Sequence, residues 1–377
     1  MKIGIDARMY GLENAGIGRY IKNLLTHLFA IDKTNSYTIF LRSRYSRTLK
    51  VPKNVTKVTA NFAHYSLDEQ TKLVRLLNNH KVDLMHFPHF NVPLLYRKPF
   101  VVTIHDLLWH KTKGLGVTSL SPFKYAFKYL GYRAVVNHAL ASSEAILVPS
   151  QFVKQEVVHY GGLDRKITVT YEGVDTHLPK VKTGNFAKLA KTWHIKSPFI
   201  VYTGSVYPHK NVKRLILAVK HYHEMSHQSL QLVIISSRTI FLDTIRKFVK
   251  QHQLGTSVSF TGFLPDSDIK AIYGQAIALV HPSLSEGFGL TGLEAMALGV
   301  PVISSHAGSL PEVYGQAALY IDPKNVGDIA GKIKDLIEHP AMRQNLIDSG
   351  YRQVAKFDWQ ATAQTTLGVY QSATKPL

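Results

Sequence analysis

The chain has 377 residues, with 45 Lys and Arg against 25 Asp and Glu, and no cysteine. Its length suits about two domains, and a composition 45% hydrophobic and 19% charged, with mean hydropathy near zero, excludes a disordered or fibrous chain. The lack of cysteine excludes disulfides and thiolate chemistry and suits a reducing compartment. No run approaches the roughly 18 uncharged apolar residues that span a bilayer. Asp6 falls where a signal peptide would need its apolar core, so the expected location is cytoplasmic. The formal charge of +20 points to a polyanionic partner: nucleic acid, an anionic membrane or a phosphorylated substrate.

In chain order, a first strand is predicted over residues 2–6, a Gly-containing loop over 10–18 and an apolar helix over 18–30. Short apolar runs at 37–41, 82–87, 100–104 and 145–149 read as strands, with helices over 66–80 and 151–160 between them. The alternation pauses at 174–179 and restarts with strands at 199–203, 230–236, 258–261, 276–281, 302–304 and 318–321. Helices are predicted at 212–225, 239–252, 266–274 and 291–298, and a terminal helix over 351–371 holds Trp359 near its start. Strands alternating with helices build parallel sheets covered on both faces, so the fold class is α/β with two doubly wound units in tandem.

Charge leans to the first half. Residues 1–180 carry 25 Lys and Arg against 12 Asp and Glu, net +13, and residues 181–377 carry 20 against 13, net +7. Between 122 and 140, Phe123, Tyr125, Phe127, Tyr129 and Tyr132 interleave with Lys124, Lys128 and Arg133, with Lys111 and Lys113 upstream. A basic face beside aromatic rings suits an anionic bilayer interface; an ordinary amphipathic helix packed on its own domain is the other reading. No zinc-finger spacing or RNA-binding sheet motif is present, and no nucleic-acid partner is expected.

The segment from Pro282 to Ala297 is the most informative. It follows an apolar strand ending at His281, carries Glu286-Gly287-Phe288-Gly289-Leu290-Thr291, opens a helix and reaches Glu294. Gly287 and Gly289 allow a sharp turn and close approach of a ligand, and the helix start that follows favours a phosphate. Two carboxylates beside a diphosphate would repel it, so hydroxyl groups are their expected targets.

Two glutamates eight apart around such a turn resemble the E-x7-E signature of retaining, nucleotide-sugar-dependent glycosyltransferases of family 4, which share the two-Rossmann-domain GT-B architecture. Further segments fall in the family's order. Ala15-Gly16-Ile17-Gly18-Arg19-Tyr20 is similar to its N-terminal glycine loop, with Ala15 where Gly is commoner. Thr103-Ile104-His105-Asp106 resembles the strand end that carries its active-site histidine. The segment Gly204-Ser205-Val206-Tyr207-Pro208-His209-Lys210-Asn211 resembles its donor-phosphate segment, with Ser205 where a second basic residue is common.

The resemblance implies a role for each match. Lys210, alone or with Arg214, neutralises the donor diphosphate; Glu286 binds the transferred sugar and Glu294 the ribose. Gly289, Leu290 and Thr291 offer backbone N–H groups to phosphate, flanked by Gly204, Ser205, Gly287 and Phe288. Gly16, Ile17 and Gly18 reach the same phosphates across a cleft between facing domains, and His105 contacts the sugar near its anomeric carbon. His86 and His89 line the acceptor side, and His281, His306 and Asp106 are supporting or structural candidates. Asp266-Ser267-Asp268 has the D-x-D form of a metal site but reads as a helix N-cap with a first-turn acid; the resemblance implies neither metal nor cofactor.

The resulting expectation is an acceptor-side domain over 1–176, joined by a returning helix over 358–377, and a donor domain over 177–357. The expected reaction moves a hexosyl group, mannosyl first, from a nucleoside-diphosphate sugar to a glycan or lipid-linked saccharide with retention. The expected partners are that donor, that acceptor and, for the charge excess, an anionic surface at the inner face of a membrane. The alternatives are an epimerase or hydrolase of nucleotide sugars on the same fold and, more distantly, a basic nucleic-acid-binding protein.

Overall fold

A computed structural model describes residues 1–111, 121–174, 184–236 and 241–374. The chain divides into two compact units, Met1–Gly173 with Asp358–Leu377, and Val174–Phe357. The expected boundary between 176 and 177, most of the pause at 174–179, Lys113 and the start of the 239–252 helix lie outside the described residues, as does the Lys111 side chain.

The first unit holds seven strands: β1 (Lys2–Asp6), β2 (Ser36–Leu41), β3 (Val55–Thr59), β4 (Leu84–Phe87), β5 (Phe100–Thr103), β6 (Ala145–Val148) and β7 (Ile167–Val169). They are ordered β3-β2-β1-β4-β5-β6-β7, and every pairing is parallel. The second unit holds β8 (Phe199–Thr203), β9 (Gln231–Ile235), β10 (Val258–Phe260), β11 (Leu279–His281), β12 (Val302–Ser305) and β13 (Ala318–Ile321). Their order is β10-β9-β8-β11-β12-β13, again all parallel. Both sheets reverse their strand order once, between β1 and β4 and between β8 and β11. Crevices for ligands form at the carboxyl ends of strands at such points.

Alternation along the strands builds the core. In the second sheet Val201, Val233, Leu279 and Val302 join one buried cluster, while Ile200, Leu232, Val280 and Ile303 join another. Successive side chains leave a strand on opposite faces, so apolar runs without polar breaks require helices on both faces.

Several elements depart from the sequence expectation. The helix expected from 18 runs Ala15–Ile31, so Gly16, Ile17 and Gly18 lie in its first turn. The 66–80 segment becomes a wide π turn, Glu69–Leu73, and a short helix, Val74–Asn79, with the Glu69 side chain fully buried. The terminal segment is two helices, Pro340–Val354 and Trp359–Ala373. Buried Phe357 packs edge-on against Phe288 at the break, and the Asp358 carboxylate accepts from Gln360 N at 3.0 Å and Ala361 N at 3.2 Å to start the second helix. The edge strands β3 and β7 carry no long apolar run: β3 interrupts Val55 and Val58 with Thr56 and Lys57, and β7 is three residues long.

That last helix belongs to the first unit. Its Thr362 hydroxyl donates to Tyr171 O at 2.6 Å, and its Tyr370 hydroxyl lies 2.6 Å from His86 Nδ1. His86 Nε2 in turn meets Thr103 Oγ1 at 2.8 Å. His86 is therefore an interior residue, not one lining an acceptor surface. Burial, reinforced by His105, pushes its pKa down to about 3. A folded pKa below the unfolded value means that stability is fully present above about pH 6.5 and is lost as pH falls toward 3. The melting temperature is expected to drop across that window by an amount reflecting a few kcal/mol. His86→Gln should flatten the profile, and an unchanged slope would remove His86 as its cause.

Candidate active site

The second unit assembles its polar groups where its strand order reverses. β8 ends at Thr203, and the chain passes Gly204, with φ +140°, to the 3-10 turn Pro208–Lys210. Asn211 then takes a left-handed conformation, φ 60°. Its buried amide nitrogen donates to Pro282 O at 3.0 Å and Pro323 O at 2.6 Å, and its oxygen accepts from Arg214 at 2.9 Å. Leu284 N donates to His209 O at 2.7 Å. These bonds lash the loop after β8 to the loop after β11. Asn211 was legible only as the end of a motif; its work as a clamp is a tertiary fact.

The lashing brings Lys210 to Glu286 across 76 residues of chain, Nζ to Oε1 at 2.6 Å. The same carboxylate oxygen accepts from His281 Nε2 at 2.7 Å and Ser283 Oγ at 2.7 Å. Burial alone would raise the Glu286 pKa, but Lys210 and His281 outweigh it and hold the carboxyl well below the usual range. Its other oxygen, Oε2, has no protein partner among the described residues. From the far side, Ser309 N and Oγ both donate to Glu286 O at 3.2 Å, and Gly308 sits where a Cβ would strike the Glu286 backbone.

Gly287 and Phe288 follow, Phe288 buried, and Gly289 turns the chain at φ +100° into the helix Leu290–Ala297. Gly292 N donates back to Gly289 O at 3.1 Å. Leu290 and Thr291 stand in the first turn, where amides lack partners within the helix. Glu294 lies half-buried one turn later. Ser205 is half-buried, and its carbonyl accepts from the Tyr202 hydroxyl at 2.5 Å. One sheet end thus gathers Gly204, Ser205, Lys210, Glu286 and the glycine turn, with Glu294 on the helix it opens.

The remaining candidates belong to the first unit. Gly18 packs so closely that a Cβ would run into the Gly11 carbonyl, whereas Gly16 has open space. His105, beyond β5, puts Nδ1 3.2 Å from Glu172 Oε1 and Nε2 3.1 Å from Pro88 O, with its ring edge-on to Tyr20 at 4.6 Å. Both nitrogens are engaged by protein oxygens, so contact with a substrate means exchanging one of these bonds.

A neighbouring ion cluster lies outside the motifs of the sequence. Arg8, 1% exposed, donates to Asp6 at 2.8 and 2.7 Å and to Glu69 at 2.8 Å. Glu69 also accepts from Asn91 at 2.7 Å and Tyr65 N at 2.7 Å. Burial raises both carboxyl pKa values, but Arg8, with His64 close by, brings Asp6 and Glu69 below their ordinary range. Asp6, Met9, Ile21, His64, Phe87 and His89 line a small cavity where the first sheet reverses. The available signal was Asp6-Ala7-Arg8 closing an apolar strand, since ions at a strand end in this fold sit at the ligand crevice.

Asp266 and Asp268 both lie in the first turn of Asp266–Tyr273, whose cap residue is Pro265; Asp266 is therefore not the N-cap. Among the described residues no group of three or more His, Asp and Glu could hold a metal ion, and no helix is long and apolar enough to cross a membrane. In the helix Pro122–Ser142 the aromatic residues divide. Tyr132 is buried against Trp109, with Tyr125 and Tyr129 stacked beside it, while Phe123, Phe127 and Leu130 are 84%, 78% and 67% exposed.

The fold, with the family models that match it, defines a glycosyltransferase with the GT-B fold. Two family models match nearly end to end, Glycosyltransferase Family 4 over residues 15–178 and Glycosyl transferases group 1 over residues 187–353, and the chain belongs to this family. It is 24% identical over 373 residues to O-antigen chain mannosyltransferase B of Escherichia coli, covering 94% of this chain and 96% of that one. Among solved structures it resembles sucrose-phosphate synthase from Thermosynechococcus elongatus, with TM-score 0.77, 19% identity and 99% and 98% of the two chains covered. HepE of Anabaena in complex with UDP and glucose gives TM-score 0.75 at 21% identity, over 99% of this chain and 100% of the other.

Arg8→Leu leaves two buried carboxylates without their cation. It is expected to destabilise the first unit by about 3–5 kcal/mol, as loss of one partner from a buried ion pair does, read by denaturant unfolding. A loss below about 1 kcal/mol, the worth of a surface pair, would mean that the cluster is solvated.

Proposed function

We propose that the chain transfers a hexosyl group, mannosyl first, from a nucleoside-diphosphate sugar to a hydroxyl of a glycan or lipid-linked saccharide, with retention at the anomeric carbon. The observation that carries this reading is the Lys210–Glu286 pair, 2.6 Å apart at the reversal of the second sheet, with Glu286 Oε2 unengaged by protein among the described residues. A lysine has three donors, so Lys210 can hold Glu286 and still meet a diphosphate oxygen. The carboxylate then accepts from a sugar hydroxyl.

Sites for phosphate and sugar that share one ion pair require the donor to fold its sugar back over its diphosphate. That geometry supports retention: the departing phosphate oxygen stays on the face it leaves, beside the acceptor hydroxyl, and takes its proton there. Charge that develops on the leaving group is met by Lys210 and the amides of Gly289, Leu290 and Thr291, an arrangement that favours the transition state over the ground state. Glu294 accepts from ribose hydroxyls. In the first unit we assign Gly16, Ile17 and Gly18 to phosphate and His105 to the sugar near its anomeric carbon once its Pro88 bond is exchanged, with the cavity beside Asp6 and His64 left to the acceptor. Mannose rests on the activity for which the E. coli relative is named.

A membrane-bound acceptor is part of the proposal. Phe123, Phe127 and Leu130 stand at i, i+4 and i+7, one stripe of a helix, beside exposed Lys124 and Lys128 and in the half of the chain with net charge +13, from 25 basic and 12 acidic residues. Exposed apolar rings flanked by lysines fit the headgroup boundary of an anionic bilayer.

Kinetics, nucleotide binding and vesicle binding test these assignments. Lys210→Ala should lower kcat by about 100- to 1,000-fold, the usual loss for one preorganised charge-stabilising group. Glu294→Ala should weaken the donor by about 10- to 100-fold, since a hydrogen bond to a charged group is worth about 1.5–3 kcal/mol. Glu294→Ala should keep the fold. Lys210→Ala should keep it at a lower melting temperature, because the Glu286 carboxylate retains only His281 and Ser283 as partners among the described residues. Thermal-shift screening of GDP, UDP and ADP names the base through stabilisation of the native state. Unchanged turnover in either variant removes that residue from the site. For the surface, co-sedimentation with phosphatidylglycerol vesicles should exceed that with neutral vesicles and fall by at least about tenfold in Phe123→Ser/Phe127→Ser, each buried Phe contributing about 1.5–3 kcal/mol. Equal, weak binding to both vesicle types returns the stripe to ordinary surface.

A further inference from the structure

We propose that His281 and Tyr314 form a relay that fixes the Glu286 carboxylate relative to the Gly289 turn, making both of them positioning residues for the transferred sugar. The inference rests on the reading of Glu286 as a sugar ligand and adds what orients it.

The direction of each hydrogen bond follows from what its acceptor can do. The Tyr314 hydroxyl lies 2.6 Å from Gly289 O; a carbonyl only accepts, so the single hydroxyl proton is spent there. Toward His281 Nδ1, at 2.8 Å, the same hydroxyl can therefore only accept, and Nδ1 carries a hydrogen. At the other end Nε2 faces Glu286 Oε1 at 2.7 Å, again an acceptor when the carboxylate is ionised. His281 thus links the carboxylate, at Nε2, to the backbone of the glycine turn, through Nδ1 and Tyr314.

Three donors meet Oε1, and they are not equivalent. Lys210 and Ser283 reach it on rotatable bonds and can follow the carboxylate if it turns. His281 is a rigid ring at the end of β11, 5% exposed, whose far side is tied to fully buried Tyr314. It alone specifies which oxygen faces the protein and which is left for a ligand. Tyr314 also occupies the space that a Cβ on Gly289 or Gly292 would need, so one side chain sets both the packing and the polar link of the turn. The consequence is mechanical: the carboxylate for the sugar and the amides for the diphosphate are braced as one body.

The test is a double-mutant cycle between Tyr314→Phe and Glu286→Gln, with kcat and KM for GDP-mannose (UDP-glucose as the second donor), Kd for the matching nucleoside diphosphate, and Tm. Tyr314→Phe keeps the ring against the glycines and removes only the hydroxyl. It should lower kcat by about tenfold or more, a loss of one hydrogen-bond-sized increment, with nucleoside-diphosphate Kd changed by less than about threefold. In the Glu286→Gln background the same change should cost little more, because the relay acts through that carboxylate. His281→Gln provides a second cycle with the same expectation should Tyr314→Phe fold poorly. Full multiplication of the two losses, or a Kd that rises and a Tm that falls along with the loss of kcat, would overturn the relay in favour of plain packing. A strong effect of Glu286→Gln with none from Tyr314→Phe sinks the relay alone, whereas wild-type turnover in Glu286→Gln sinks the sugar-ligand reading and the relay with it.

Discussion

A nearly buried carboxylate needs partners. Glu286 is 11% exposed as a side chain, and an unpaired charge at that depth would cost several kcal/mol or become protonated. Most of the second unit's site follows from meeting that requirement. Lys210 supplies the opposite charge, which obliges the loop after β8 to fold toward the loop after β11, which in turn obliges Asn211 to take a left-handed conformation and bind two carbonyls. Ser309 and Gly308 close over the Glu286 backbone from the third loop. Stability therefore rests on the same groups that are proposed to recognise the donor. Among the described residues all three side-chain donors sit on one carboxylate oxygen, and the other is the one proposed to meet the sugar.

The first unit solves a similar problem in a different way. Arg8 is a buried cation held between Asp6 and Glu69, at the corresponding reversal of the first sheet. There the charges are closed on one another, and the cavity beside them is small and lined by Asp6, His64 and His89 as well as by apolar side chains. Among the described residues one reversal thus leaves a carboxylate oxygen open, and the other is satisfied within the protein. The proposed division, with the donor on the second unit and the acceptor on the first, agrees with that contrast. On the same proposal a diphosphate uses only Lys210 and a few amides, which leaves the basic excess unspent. The lysines of the Pro122–Ser142 helix lie beside exposed Phe123 and Phe127 instead.

Much of this was legible in the linear chain because its signals are local. Alternating apolar runs and helical stretches predict two doubly wound units, since a strand buried on both faces can contain little else. The turn at Gly287 and Gly289, and the two glutamates around it, read directly as a ligand-binding strand-to-helix junction. Departures arise where a distant group decides. The stretch after 351 has helical character throughout, and it breaks because Phe357 is drawn into the core against Phe288. Strands β3 and β7 went unseen because β3 breaks its apolar residues with Thr56 and Lys57 and β7 is only three residues long.

The sequence by itself determined the fold class, the family and the identity of Lys210, Glu286 and Glu294 as candidates, because each is carried by residue types at short spacing. Only the tertiary structure decided who partners whom. It turned His86 inward onto Tyr370, engaged both nitrogens of His105, revealed Arg8 as a buried cation and joined His281 to Tyr314 across 33 residues of chain. The physical reason is that a hydrogen bond needs a donor and an acceptor about 3 Å apart, and that proximity is created by packing whole sheets and helices, not by order along the chain. The charge of +20 is likewise a property of the sequence, whereas the apolar stripe that gives part of it a direction exists only on the folded helix.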